Sequence, residues 1–171
     1  MKLNALTLSR LLVRILFWLN IVLAAAFVAL LLWWSVSPHW IESILGAKYG
    51  SGKANEIREL MQAALLLGIL TAAPVGMILA MLLRMIETVR AGTPFVAINA
   101  QRLRLMGWLV LGLQVADLIF SALGIYAGSL HADWQGSTPS LMGWLLALLL
   151  FVLARIFSEG VAMRDDLEGT V

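Results

Sequence analysis

Long apolar runs alternate with short polar segments along this chain, and the polar segments hold nearly all of its charged residues. Four runs are long enough to cross a bilayer, since a helix that spans ~30 Å of hydrocarbon needs roughly 20 residues. Each run is apolar on almost every face, whereas a helix of a soluble bundle is apolar on one side. The pattern predicts an all-α membrane protein, a bundle of four transmembrane helices: Leu11–Trp34, Met61–Leu83, Leu105–Tyr126 and Pro139–Phe157.

Lysine and arginine are distributed unevenly over the segments that flank these runs. In membrane proteins both residues are enriched in short cytoplasmic loops and at cytoplasmic span ends. Residues 35–60 hold three of them beside three glutamates, and residues 127–138 hold none. We therefore expect these two connections outside, and both termini, a hairpin over 84–104 and a tail over 158–171 in the cytoplasm. The nine residues of that side are Lys2, Arg10, Arg14, Arg84, Arg90, Arg102, Arg104, Arg155 and Arg164.

Composition agrees with a membrane location. Hydrophobic residues make up 61% of the chain and charged residues 13%, against about half and about a quarter in soluble domains, and the mean hydropathy is +0.92. The first run continues to Trp34, well past the ~7–15-residue core of a signal peptide, so we expect a retained span. Four spans leave no room for a second domain, and residues 1–171 are predicted to be one membrane domain.

The sequence lacks the motifs of catalysis. It has no cysteine, which excludes disulfides, zinc–thiolate sites and thiol nucleophiles. Neither a G-x-S-x-G elbow, a phosphate loop nor a dinucleotide fingerprint occurs. A metal held between His39 and His131 is the less favoured alternative, because these residues lack ligand spacing. The net charge is only +2, and the basic residues form no stripe, so we expect no direct nucleic-acid binding. Because the motifs named above are missing, we also expect no cofactor, no metal and no enzymatic activity.

Three Ser/Thr-Pro pairs mark predicted helix starts, where a capping hydroxyl and a proline in the first turn are typical. The first start opens an outer segment, Pro38–Ala47, whose apolar residues recur at helical spacing and favour a helix on the membrane surface. We expect Gly50–Gly52 to form a flexible link after it. The three pairs are Ser37-Pro38, Thr93-Pro94 and Thr138-Pro139.

Asp117 falls near the middle of the third run, where a carboxylate costs about 2.5–3.5 kcal/mol. Gln114 lies one turn earlier on the same face, and Asn20 and Pro74 fall at similar depths in the first two runs. Pro74 also leaves the carbonyl of Leu70 without its helical N–H partner. We expect these polar groups to form a buried site. It is either a proton- or cation-responsive site that titrates at Asp117, or an interhelical hydrogen-bond clamp.

The predicted cytoplasmic hairpin reads as a tight turn followed by a helix. Gly92 is expected to end one helix and Pro94 to begin the next, with Phe95 facing lipid or neighbouring helices. Asn99 and Arg102 share one face of the second helix. The hairpin either anchors the spans at the headgroups or presents a surface to a partner. Its candidate interaction residues are Gly92, Pro94, Phe95, Asn99, Arg102 and Arg104.

The C-terminal tail is predicted to leave the membrane as an amphipathic helix. Ile156, Met163 and Leu167 lie on one side, and the end of the tail is acidic. Anionic lipids repel that end, so either a protein surface accepts it or it remains solvated. The candidate residues are Arg155 and Glu159, an i,i+4 pair, with Gly160, Arg164, Asp165, Asp166, Glu168 and Thr170.

Two motifs resemble a known family. The first is Gly92-Thr93-Pro94-Phe95, Asn99 and Arg102-Leu103-Arg104 followed by Gly107; the second is Ile156-Phe157, Glu159-Gly160, Arg164-Asp165-Asp166 and Glu168–Val171. Over essentially its whole length the chain is similar to the bacterial four-helix membrane family termed domain of unknown function 2975. The resemblance implies a multi-pass protein of the bacterial inner membrane without established activity. Because members are often encoded beside a small helix-turn-helix regulator, it also implies a partner at the cytoplasmic face.

Three functions are compatible with these features. The leading hypothesis is a non-enzymatic membrane sensor or anchor that engages a helix-turn-helix transcriptional regulator through its cytoplasmic hairpin and tail, while the polar site senses lipid, proton or drug. The second is a small proton- or cation-coupled transporter or export component that works through Asp117. The third is a scaffold or lipid-binding subunit. Membrane lipids are expected partners, and homo-oligomerisation stays open.

Overall fold

The computed structural model is helical over most of the residues that it describes, 5–133 and 139–168, and contains no strand among them. The helices are α1 (Ala5–Val36), α2 (Pro38–Tyr49), α3 (Ser51–Arg90), α4 (Ala97–Ser129) and α5 (Leu141–Glu168). Some predictions fell outside the described residues, namely those on Lys2, Thr138 and Thr170, and on the side chains of Leu167 and Glu168.

The four predicted spans are confirmed as long apolar helices. Among the described residues, α1, α3, α4 and α5 are long and apolar enough to cross a membrane. In the most apolar 18-residue stretch of each of these helices, at most 11% of the residues are buried within the protein. Their apolar side chains therefore remain accessible, as they do where hydrocarbon is the surrounding solvent.

The structure corrects the predicted helix starts. Pro38 does begin α2, but the hydroxyl of Ser37 makes no capping hydrogen bond. α4 begins at Ala97 and not at Pro94, because the side chain of Asn99 donates to the carbonyl of Pro94 at 2.9 Å and holds the preceding stretch out of the helix. α5 begins after Pro139, since the N–H of Ser140 donates to a side chain, Asp117 Oδ2, at 3.2 Å.

The chain divides into two compact units. The hairpin unit comprises residues 5–19, 74–114 and 141–168, and the α2 unit comprises residues 20–73, 115–133 and 139–140. The α2 unit has an apolar cluster of its own, formed by Trp34, Ile41, Leu45, Ala54 and Ile57.

α2 packs into this cluster through part of its apolar face. Ile41 and Leu45 are buried, whereas Trp40 and Ile44 remain exposed. The expected flexible link after α2 is wrong, because Gly50 alone makes the turn at φ +81° and α3 begins at the next residue. The N–H of Gly50 donates to Gly46 O at 3.0 Å while its own carbonyl accepts the first N–H groups of α3, so no residue is left to act as a linker.

Candidate functional site

The hairpin between α3 and α4 ends α3 at the predicted glycine. Gly92 has φ +76°, a left-handed conformation that glycine adopts without steric cost. The N–H of Gly92 donates to Val89 O at 3.1 Å and that of Thr93 to Thr88 O at 3.0 Å. These bonds satisfy carbonyls that the end of α3 would otherwise leave without partners, so the chain reverses within a few residues.

Asn99 is the central polar group of the hairpin and is fully buried, with 0% of its surface exposed. Its Nδ2 donates to Thr88 Oγ1 at 2.7 Å and to Pro94 O at 2.9 Å. Its Oδ1 accepts from Arg102 Nη1 at 2.9 Å. One amide therefore connects α3, the turn and α4, and Asn99 and Arg102 lie on one face of α4, as predicted.

The hairpin packs against α5 through an aromatic pair. The rings of Phe95 and Phe157 lie 5.2 Å apart between centroids. A Cβ atom added to Gly160 would lie 2.8 Å from Phe95 Cδ1. The glycine of the tail thus leaves room for the Phe95 ring, and the two motifs that carry the family resemblance meet in this contact.

α4 and α5 approach each other closely at two further glycines. A Cβ atom on Gly107 of α4 would lie 2.9 Å from the ring of Phe151, and that ring stacks edge-on against Trp108 at 5.3 Å. At Gly143 of α5, a Cβ atom would overlap the side chain of Gln114. Close helix contacts at small residues are typical of membrane bundles, where hydrophobic burial does not drive helix association.

Charged residues of the hairpin unit form ion pairs. Arg10 Nη2 lies 3.0 Å from Glu87 Oε1 and joins α1 to α3. The predicted i,i+4 pair of α5 is confirmed, with Arg155 Nε donating to Glu159 Oε1 at 2.6 Å. Arg104 and Arg155 line a cavity of about 330 Å³ between α4 and α5, together with Gln101, Phe151 and Ser158.

The tail continues α5 as a helix to Glu168, which confirms the predicted helical tail. Met163 is 67% exposed and Ile156 51% exposed. Arg164, Asp165 and Asp166 are exposed as well. An apolar and acidic helix end is thus presented on the surface of the described chain.

Two polar residues of the spans, Asn20 and Gln114, each contact a neighbouring helix. Asn20 Nδ2 donates to Ala72 O at 3.0 Å, two residues before Pro74. Gln114 is 9% exposed and lies against α5, as described above. Their grouping with Asp117 in one polar cluster stays a prediction.

Asp117 accepts a backbone hydrogen bond next to the start of α5. Its Oδ2 accepts the N–H of Ser140, the residue directly before α5. A carboxylate that accepts a backbone N–H compensates part of the cost of its location in an apolar run. A titrating role for this carboxyl stays a prediction.

Sequence reasoning missed the polar network of the α2 unit, which joins residues far apart in the chain. Lys48 Nζ lies 2.8 Å from Asp133 Oδ2, and Arg58 Nη1 lies 2.9 Å from Glu42 Oε1. The hydrogen bond to Asp133, followed by one to Tyr49, raises the pKa of Lys48 above its ordinary value. Opposite charges in residues 35–60 and 127–138, the two connections expected outside, were the available signal, but the sequence does not say which of these charges meet.

His131 lies at the end of a helix, and His39 lies on the surface near a glutamate. His131 has φ +59°, and the next N–H, that of Ala132, donates to Ala127 O at 3.1 Å. His131 therefore occupies the left-handed position that terminates α4. His39 lies 3.9 Å from Glu42, with its side chain almost fully exposed. Within the described chain no group of three or more potential metal ligands occurs.

A second cavity, of about 480 Å³, lies in the α2 unit and is lined by apolar side chains. Trp34 is part of this lining, and its buried Nε1 has no hydrogen-bond partner among the described residues. The cavity therefore lacks the convergent polar groups that usually orient a ligand. The remaining lining residues are Phe27, Leu30, Trp40, Ile41, Ile44, Leu45, Met61, Ala64, Leu65 and Phe120.

Four membrane-length helices, a hairpin closed by a buried amide and a helical tail define the class: a multi-pass α-helical membrane protein. The family model described as "Protein of unknown function (DUF2975)" matches residues 7–171. The chain belongs to this family, and the resemblance of its two motifs is confirmed. Comparison with curated proteins and with solved structures finds no match.

Proposed function

We propose that this chain is a non-enzymatic sensor or anchor of the bacterial inner membrane, with both termini in the cytoplasm, that engages a helix-turn-helix regulator through its hairpin and tail. The observation that carries the proposal is the end of α5. The helix continues to Glu168, well beyond the ion pair of Arg155 with Glu159. In its last turns the side chains of Met163, Asp165 and Asp166 are exposed.

The orientation follows from the distribution of basic residues. Arginines flank the hairpin on both sides and occur in the tail, whereas residues 127–138 have no lysine or arginine. A bias of this kind favours a cytoplasmic location of the hairpin and the tail, where a transcriptional regulator is available.

The charge of the tail favours a basic protein partner over the membrane surface. Asp165 and Asp166 are exposed near the end of α5, and the anionic cytoplasmic leaflet repels carboxylates. DNA-binding domains carry a basic patch for the phosphate backbone. An acidic helix competes with DNA for such a patch, so the tail would hold the regulator at the membrane and away from its operator.

The hairpin supplies a fixed base for the tail. Asn99 closes the hairpin with three hydrogen bonds, and the Phe95–Phe157 pair joins it to α5. A docking helix held in one orientation loses less conformational entropy on binding than a free tail. A ligand that altered the packing of α4 and α5 would therefore change how the tail is presented.

Deleting residues 163–171 is expected to abolish capture of the regulator from native membranes, because it removes the acidic end and the exposed Met163. The measurement is co-purification on the tagged full chain, with the captured protein identified as a helix-turn-helix protein by mass spectrometry. Asp165→Lys with Asp166→Lys should have the same effect.

The matched control for the charge of the tail is the double variant Glu56→Gln with Glu59→Gln, which neutralises two carboxylates of α3 in the α2 unit without adding lysine to residues 35–60. This variant should retain capture. Equal capture with the intact and the deleted tail would refute the docking proposal.

A further inference from the structure

The cavity between α4 and α5 in the hairpin unit has walls of graded polarity. It is an open groove with exposed polar side chains along its rim, and its volume of about 330 Å³ lies within the range of roughly 300–1,000 Å³ typical of small-molecule sites. Phe151 and Ala154 form its apolar part, whereas Gln101, Arg104, Arg155 and Ser158 form its polar part. A site of this composition suits an amphiphile better than a fully polar or a fully apolar molecule.

The gradient runs along the helices in the direction of the membrane normal. Arg104 directly precedes the apolar run 105–126, and Arg155 lies near the end of the run 139–157. Both arginines therefore fall at the boundary between hydrocarbon and headgroups. Phe151 lies one turn deeper on α5, and Gln101 and Ser158 lie about one turn further out.

The two arginines retain hydrogen-bonding capacity. Arg104 has no hydrogen-bond partner or ion pair within the described part of the chain. Arg155 uses its Nε for Glu159, at 2.6 Å, which leaves its two terminal nitrogens. Guanidinium groups bind phosphate oxygens through charge-assisted, often paired hydrogen bonds.

We propose that this cavity binds the headgroup of an anionic membrane phospholipid, with its phosphate between Arg104 and Arg155. Gln101 and Ser158 hydrogen-bond the outer part of the headgroup, and one acyl chain begins at Phe151. The apolar wall favours a lipid over free phosphate, since a free ion gains nothing from it. Basic pockets between transmembrane helices are a known way of holding such headgroups. The proposal needs only the membrane location of the chain and not the docking of a regulator.

Native mass spectrometry of the full chain in detergent tests the proposal, with phosphatidylglycerol and phosphatidylcholine of identical acyl chains as probes. The wild type should retain phosphatidylglycerol preferentially. The preference should fall about ten-fold for each of the substitutions Arg104→Gln and Arg155→Gln, and further in the double variant, because each removes a charge-assisted hydrogen bond to the phosphate.

The matched control is Arg84→Gln with Arg90→Gln, which removes two exposed arginines of the same unit that do not line the cavity. It should leave the preference unchanged. An equal loss in both double variants would show that bulk surface charge attracts the lipid, and would overturn the proposal.

A variant that is expected to bind the lipid more strongly excludes misfolding as the cause of a changed lipid preference. Glu159→Gln frees the Nε of Arg155 and removes the carboxylate that competes with phosphate, so it should raise the preference for phosphatidylglycerol. An unchanged preference contradicts the site.

Inorganic phosphate is the final probe: if it raises the melting temperature of the wild type as much as phosphatidylglycerol does, the assignment to a lipid is wrong.

Discussion

Asn99→Leu is expected to lower the free energy of unfolding by about 2–4 kcal/mol, since each buried partner that loses its hydrogen bond costs ~1–3 kcal/mol. Leucine removes the donors to Thr88 and Pro94 and the acceptor for Arg102. Thr88 keeps its own bond to Met85 O at 2.7 Å, and Arg102 can turn to water. The carbonyl of Pro94 keeps the N–H of Val96 at 3.2 Å, so the expected loss is that of the three hydrogen bonds to Asn99, each of which contributes ~0.5–1.5 kcal/mol.

The measurement is unfolding of the purified chain by transfer from a mild detergent to sodium dodecyl sulfate, followed by circular dichroism. Asn55→Leu is the matched control, because Asn55 is exposed in the first turns of α3 and should change stability by at most ~0.5 kcal/mol. Equal effects of the two leucine variants would contradict a structural role for the buried amide.

Gly107→Ala is expected to destabilise the chain, whereas Gly112→Ala on the same helix is expected to stabilise it. Alanine gains ~1 kcal/mol over glycine inside a helix, and at Gly112 nothing lies within 4 Å of the added Cβ atom. At Gly107 the Cβ atom would lie 2.9 Å from the ring of Phe151, which is also in edge-on contact with Trp108. Forcing a methyl group into such a contact costs about 1–3 kcal/mol, so the two substitutions should have opposite signs.

The same unfolding titration checks this pair, and Phe151→Leu provides the rescue. A leucine has no ring edge at the position that the new methyl group needs, so Gly107→Ala should cost less in the Phe151→Leu background. The resulting non-additivity identifies the contact between α4 and α5. Stabilisation by both alanine substitutions in the wild-type background would mean that α5 does not approach α4 at Gly107.

The spans were predictable from sequence because hydrocarbon imposes one demand on every residue of a long segment. A helix in lipid must be apolar on nearly all faces, and its backbone N–H and C=O groups must form hydrogen bonds within the helix. Both requirements can be recognised from the sequence as a long, uninterrupted apolar run. The apolar runs therefore located α1, α3, α4 and α5. The ends of the helices were less predictable, because local competition decides them. Asn99 takes the carbonyl of Pro94, and Asp117 takes the N–H of Ser140.

The hairpin site was predicted in part. Gly92 and the shared face of Asn99 and Arg102 follow from turn chemistry and helical spacing. The role of Thr88 does not, because its hydroxyl meets Asn99 only after the chain has reversed. The contact of Phe95 with Phe157 depends on how α4 and α5 pack, and a sequence records the shapes of these side chains but not their partners.

The most direct test of the account is the membrane sidedness of the hairpin and the tail. The chain has no cysteine, so single cysteines can be placed by Lys53→Cys, Ala91→Cys and Asp165→Cys and labelled in intact cells with a membrane-impermeant maleimide. The account predicts labelling of Lys53→Cys from outside, and of Ala91→Cys and Asp165→Cys only after the membrane is opened. Labelling of the hairpin and tail positions from opposite sides of the membrane would contradict it.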